Sequence, residues 1–193
     1  LVSLFVALIL FLSGFKEIPD GYMGVEICKI GKHRVLPEPL MAGWYWRRPL
    51  MVNFVNYNMR ERTTYPDTTI VFSKEKKEIS ANVVAYYQLQ EAKLVDIHKL
   101  FGTNYEVEKK IETALKAYIH NVMKEYLREE IFGEKREIVQ TAIFDAMKKE
   151  FDVIGITIKD VKFTYLSFPE KYTNELRQYY PSSNTALEFS LEC

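Results

Sequence analysis

Glu78-Ile79-Ser80-Ala81-Asn82-Val83-Val84-Ala85-Tyr86-Tyr87-Gln88-Leu89 carries the clearest two-residue period in the chain. Ile79, Ala81, Val83, Ala85, Tyr87 and Leu89 fall on one face and Ser80, Asn82 and Gln88 on the other, the pattern of a strand buried on one side. Upstream, Thr68 to Phe72 is a second strand-like run. The five residues between them, Ser73-Lys74-Glu75-Lys76-Lys77, predict a hairpin.

Downstream the period changes. Thr103-Asn104-Tyr105-Glu106 has the spacing of a capping box, in which the Thr hydroxyl and the Glu carboxylate satisfy free N–H groups at a helix start. Val107, Ile111, Ala114, Leu115, Tyr118, Val122 and Tyr126 then recur at steps of three and four, which predicts one helix stopping at Gly133. A second helix from about Lys135 carries Val139, Ala142, Ile143, Ala146 and Met147 on one stripe and ends at Gly155. The closing strand sets Ile156 and Ile158 on one face, then Val161, Phe163 and Tyr165. That change of parity near Lys159-Asp160 predicts a bulge. Strands, a hairpin, two helices and a returning strand make an α+β fold in which sheet and helix share a core.

Toward the N-terminus, Ile18-Pro19-Asp20-Gly21 and Lys29-Ile30-Gly31-Lys32 are turns around a short strand, Tyr22 to Ile27. Two prolines keep Leu36-Pro37-Glu38-Pro39-Leu40 out of helix and central strand, and Met51 to Met59 is strand-like. Before these, Leu1 to Phe15 holds no charge, and Leu4, Phe5, Leu8, Leu10, Phe11 and Leu12 make it apolar all round. As a helix it reaches roughly 22 Å, short of the ~30 Å hydrocarbon core. It reads as a truncated spanning anchor, as the apolar part of a signal peptide, or as a core helix. Phe11-Leu12-Ser13-Gly14-Phe15-Lys16 is a poor cleavage site, and a core helix would show polar positions at helical spacing, so the anchor is favoured. The expected location is a membrane, single-pass or monotopic. Lys16 is followed by Glu17 and Asp20, which leaves no charge bias to orient the segment.

The 193 residues are 48% hydrophobic and 27% charged, a composition that folds. Twenty-six basic residues balance 26 acidic ones, so no field attracts a polyanion and nucleic acid is not an expected partner. Two cysteines, Cys28 and Cys193, and three scattered histidines, His33, His98 and His120, argue against a metal site. No Gly-x-Ser-x-Gly and no glycine-rich phosphate loop is present, so neither catalysis nor a cofactor is expected. His98 and His120 lie on helical stretches where solvated histidines are the ordinary outcome.

Trp44-Tyr45-Trp46-Arg47-Arg48, flanked by Leu40-Met41 and by Leu50-Met51, is the most informative local cluster. Amphipathic rings beside arginines suit the headgroup level of a bilayer, where rings bury and guanidinium groups meet phosphates. The competing reading is an apolar turn tucked into the core. Charges that alternate in sign, among them Lys124, Arg128, Glu129, Glu134 and Arg136, form either solvated helix faces or edges at which like subunits dock. Tyr179 and Tyr180 are candidates for the same contact.

These pieces together resemble the SPFH superfamily: stomatins, prohibitins, flotillins, band 7 proteins and the bacterial modulators of the membrane AAA protease. Ile18-Pro19-Asp20-Gly21-Tyr22-Met23-Gly24-Val25 resembles the family's "I-P-x-G-x-x-G-V" opening after an apolar segment. Gly31-Lys32, the Ala42 to Pro49 segment, Asn58-Met59-Arg60-Glu61-Arg62 and Ser73-Lys74-Glu75 follow in family order. Phe132 to Arg136 and Gly155-Ile156-Thr157-Ile158-Lys159-Asp160-Val161 complete it, with Ala42 standing where the family has Pro. The resemblance implies a β-rich first subdomain (16–75) facing the membrane and an α+β second one (76–168). Residues 169–180 would start a C-terminal helix, and 181–193 read as a tail foreign to the fold. It further implies a scaffold that contacts lipid and oligomerises, with itself or with a paralogous subunit, into a ring or cage organising a membrane microdomain. Binding to a membrane AAA protease or channel as its regulatory subunit is the alternative it implies.

Overall fold

The computed structural model describes residues 11, 14–29, 34–48, 51–65, 67–133 and 135–167. Its strands are β1 (Phe15–Ile18), β2 (Tyr22–Cys28), β3 (Arg34–Val35), β4 (Gly43–Trp46) and β5 (Val52–Asn58). After them come β6 (Arg62–Thr63), β7 (Thr69–Phe72), β8 (Glu78–Leu89) and β9 (Ile156–Ser167). A 3-10 turn over Glu91–Lys93 leads into α1 (Leu94–Phe101), followed by α2 (Asn104–Met123), α3 (Arg128–Phe132) and α4 (Arg136–Ile154). The mixture is α+β, as the change of period predicts. Two compact units are formed by the described residues within 1–62, 88–108 and 152–157, and within 63–87, 109–151 and 158–193.

The first unit holds the sheet β3-β2-β5 and a separate two-stranded ribbon, β1-β4. β2 and β5 run antiparallel with Tyr22 opposite Asn58 and Cys28 opposite Val52. Val25, Tyr57, Leu94, Ile97 and Ile156 are among its fully buried residues. Gly155 ends α4 at φ +93°, where a side chain would strain the backbone. Lys93 Nζ donates to the carbonyls of Asp152 and Val153 at 3.1 and 3.0 Å, so a cation closes the negative end of that helix.

In the second unit β7 pairs with β8 from Thr69 opposite Ala81 to Phe72 opposite Glu78, which leaves residues 73–77 as the expected loop. β6 and β9 also pair with β8. Along β8 every odd-numbered residue from Ile79 to Leu89 is buried, as the two-residue period requires. Along β9 the buried positions run Ile156, Ile158, then Val161, Phe163, so the parity changes where the bulge is predicted. Tyr165 is 49% exposed and lies outside that buried row.

The helices correct the reading in one place. Thr103 does cap α2, accepting the Glu106 N–H at 3.3 Å. The buried stripe then runs Val107, Ile111, Leu115, Ile119, Met123, in steps of four, and not through Val122 and Tyr126. The helix stops at Met123, well short of Gly133. Turn bonds from Glu125 and Tyr126 back to Val122 and Met123 tighten the end, and the Tyr126 carbonyl accepts from Lys74 N–H at 2.9 Å. Leu127 is extended, and its N–H donates to the Glu130 carboxylate at 3.0 Å, starting α3 anew. Gly133 ends that short helix.

The expected anchor, Leu1 to Phe15, lies outside the described residues except for Phe11, Gly14 and Phe15. Phe15 belongs to β1 and not to an anchor helix, because it pairs with Trp46. Among the described residues no helix is long and apolar enough to cross a membrane. The segments 169–180 and 181–193 lie outside the described residues as well.

Candidate membrane-contact face

β1 and β4 place Phe15 opposite Trp46, Lys16 opposite Tyr45, Glu17 opposite Trp44 and Ile18 opposite Gly43. Directly opposed residues share a face and successive ones alternate. One face of the ribbon therefore carries Phe15, Glu17, Trp44 and Trp46. Trp44 is 69% exposed, Phe15 43% and Trp46 42%. Trp46 is fixed: its Nε1–H donates to the Phe11 carbonyl at 3.0 Å, and its ring centroid lies 5.4 Å from that of Phe11. Phe11 in turn meets Phe15 edge to face at 5.8 Å. Gly14 is required here, since a Cβ would lie 2.6 Å from Trp46 Nε1 and 2.7 Å from the Arg47 carbonyl.

On the other face Lys16 stays exposed, Tyr45 is half-buried and Ile18 points into the core. Ile18 is buried and fills the space beside Gly24, where a Cβ would come within 2.5 Å of Ile18 Cδ1. Arg47 Nε donates to Glu26 Oε2 at 3.0 Å, and its guanidinium carbon lies 5.9 Å from the Tyr45 ring. Glu26 is buried, so this ion pair ties β4 to β2 from within.

Of the sequence-predicted membrane residues, Trp44, Trp46, Arg48 and Met51 are exposed, as is Phe11, whereas Tyr45 and Arg47 are half-buried. Leu4, Phe5, Leu8, Leu10, Leu12 and Leu50 lie outside the described residues. The cluster is strand β4, paired with β1, and not the turn of the competing reading. Phe15 and Glu17 on the same face went unnoticed in the sequence. The alternation Phe15-Lys16-Glu17-Ile18 is present there, but nothing local names the partner strand.

Among the candidate docking charges, Lys124 and Glu129 are exposed, and Lys124 donates to the Asn121 side chain at 3.1 Å. Arg128 is half-buried. Arg136 donates to the Phe163 carbonyl at 3.2 Å and stands 5.9 Å from its ring, so that guanidinium serves the fold. Glu134, Tyr179 and Tyr180 lie outside the described residues.

His98 corrects a further expectation: it is buried, not solvated. The Tyr57 hydroxyl donates to the Gly102 carbonyl at 2.9 Å, and His98 Nδ1 lies 2.7 Å from the Tyr57 hydroxyl oxygen, which its N–H can then donate to. Burial pushes the His98 imidazolium below its ordinary pKa, partly offset by hydrogen bonding with the Gly102 backbone. Burial also raises the Tyr57 phenol to about 12. The pair is an internal link between β5 and α1. His120 is exposed and meets the Phe72 ring edge to face.

No group of three metal-ligating side chains is gathered among the described residues. Two surface grooves open to solvent are found among the described residues, one of about 200 Å³ beside Gln140, Phe144 and Lys159 and one of about 390 Å³ beside Glu129, Glu130, Gly133 and Lys135. Comparison with curated proteins gives no match. The sequence model of the SPFH domain / Band 7 family matches residues 16–186. Proteins of that family are generally membrane-associated, oligomerising scaffolds without enzymatic activity. The match spans every strand and helix described above apart from the first residue of β1, and the chain belongs to the SPFH domain / Band 7 family.

Proposed function

We propose that this chain is a membrane-associated scaffold subunit that rests on a bilayer through the β1–β4 ribbon. Copies assemble side by side, or alternate with a paralogous subunit, into a ring or cage that encloses a membrane patch and controls which proteins enter it. The observation that carries membrane contact is the exposed face of Trp44, Trp46 and Phe15. Tryptophan combines an apolar body with an N–H donor and favours the bilayer–water boundary. Leu4, Phe5, Leu8, Leu10 and Leu12, just ahead of the ribbon in sequence, add apolar contact in this reading. Lys124, Arg128, Glu129, Glu134, Tyr179 and Tyr180 are the proposed lateral contacts, supported by their alternating charge and by the general habit of the family, whereas Arg136 is engaged by Phe163 within the fold.

Trp44 and Trp46 are the chain's two tryptophans, so its intrinsic emission reports on this ribbon alone. Mixing with phospholipid vesicles should shift the emission to the blue and make it quenchable by brominated acyl chains. Unshifted emission with full access to aqueous iodide sinks the membrane reading. Negatively stained particles of the protein in mild detergent should be closed rings or cages. Uniform monomers or dimers remove the assembly.

A further inference from the structure

The geometry points to a zwitterionic phospholipid as the lipid this ribbon takes, with the headgroup ammonium held between Glu17 and Trp44. This rests on the membrane reading above and names the lipid class. Glu17 and Trp44 are directly opposed partners on the exposed face, and Phe15 and Trp46 stand beside them. Opposed residues have Cβ atoms ~5 Å apart. A carboxylate therefore sits beside an indole that is 69% exposed, and both attract an alkylammonium cation.

The charges decide against an anionic surface. Lys16 is exposed, but it has the opposite parity to Glu17 and pairs with Tyr45, so its ammonium leaves the ribbon from the other face. Arg47, the guanidinium that the sequence offers to lipid phosphate, is drawn inward by the buried Glu26. What remains on the outer side is the Glu17 carboxylate and, two residues beyond Trp46, the exposed Arg48 guanidinium. That pair is balanced and complements a headgroup carrying one ammonium and one phosphate. Anionic bilayers attract proteins through net positive charge, roughly five-fold in binding per charge. A balanced face gains nothing from them.

The test uses the full chain and reads the docked fraction from tryptophan emission. Vesicles of phosphatidylcholine alone are compared with phosphatidylcholine mixed with phosphatidylglycerol. The native chain should dock on both within about two-fold. Glu17→Lys, which moves the face by two charges, should dock about 30-fold more tightly on the mixed vesicles and about three-fold less tightly on phosphatidylcholine. Glu17→Gln should fall between, at about five-fold on the mixed vesicles, and it guards against a folding defect in the lysine variant. Docking that requires phosphatidylglycerol in the native chain overturns the lipid assignment and leaves the membrane reading standing. So does a Glu17→Lys chain of native circular dichroism with unchanged lipid preference. Emission that shifts on neither vesicle overturns the membrane reading itself.

Discussion

Replacing Arg47 by methionine tests the link between ribbon and sheet. The Glu26 side chain is 6% exposed, and the Arg47 Nε, 3.0 Å away, is its charge partner. Methionine keeps most of the apolar stem, so the change isolates the charge. Removing one member of a fully buried pair costs ~3–5 kcal/mol, because the other is left as an uncompensated buried charge. Arg47 is 36% exposed, so water already screens part of the interaction, and we expect a loss of ~2–3 kcal/mol. Changing Glu26 to glutamine in the same chain removes the orphaned charge and should recover all but about 1 kcal/mol. Urea unfolding followed by far-UV circular dichroism gives the loss. Tryptophan emission on the same samples shows whether the ribbon releases first, since Trp46 precedes Arg47 directly. An Arg47→Met loss under ~0.5 kcal/mol would refute the reasoning, as would a failure of Glu26→Gln to recover it.

Burial keeps the His98 imidazole neutral in the folded chain, so its folded pKa lies below the unfolded value of about 6.5. As pH falls through that unfolded value the unfolded chain gains a proton that the folded one refuses. Stability should drop by up to ~1.4 kcal/mol per pH unit until the folded pKa is reached. Thermal melts of the native chain from pH 7 to 5 should show this slope, and His98→Gln should flatten it. Thr64 is fully buried, and its hydroxyl accepts the Ala85 N–H at 3.0 Å, so the isosteric Thr64→Val should cost about 2 kcal/mol in urea while Thr64→Ser keeps most of the bond. Gly155→Ala places a Cβ 2.5 Å from Lys93 Cβ at a positive φ, and should cost about 2 kcal/mol, read as a lower thermal midpoint.

The parts that were legible in the sequence are those whose cause is local. One-sided burial enforces the two-residue period of β8, and the Thr103 hydroxyl reaches only three residues on to the Glu106 N–H. The residues that misled have partners far away in sequence. His98 is buried by Tyr57, 41 residues earlier, and the stretch around it gives no sign of that. The break after Met123 involves a loop residue, Lys74, that no helical period reports. The tryptophan cluster was legible as composition and not as geometry. That Trp44 and Trp46 point outward while Arg47 turns in follows from strand alternation, but only once β1 is known to be the partner.

The area on offer bears on why such a subunit would work in numbers. Phe11, Phe15, Trp44 and Trp46 are 52, 43, 69 and 42% exposed. For aromatic side chains of ~150–250 Å² this leaves on the order of 450 Å² of surface to bury. At ~25 cal/mol per Å² the ceiling is ~11 kcal/mol, and a ribbon lying in the interface buries only part of each ring, so ~5 kcal/mol is a realistic gain. Association itself costs ~4–15 kcal/mol in lost translational and rotational freedom. A single ribbon is therefore marginal by itself. Once neighbours hold a subunit at the surface, each further ribbon docks at high effective concentration without meeting that cost again. In the proposed assembly, a weak aromatic contact on every copy would add up to firm attachment of the whole.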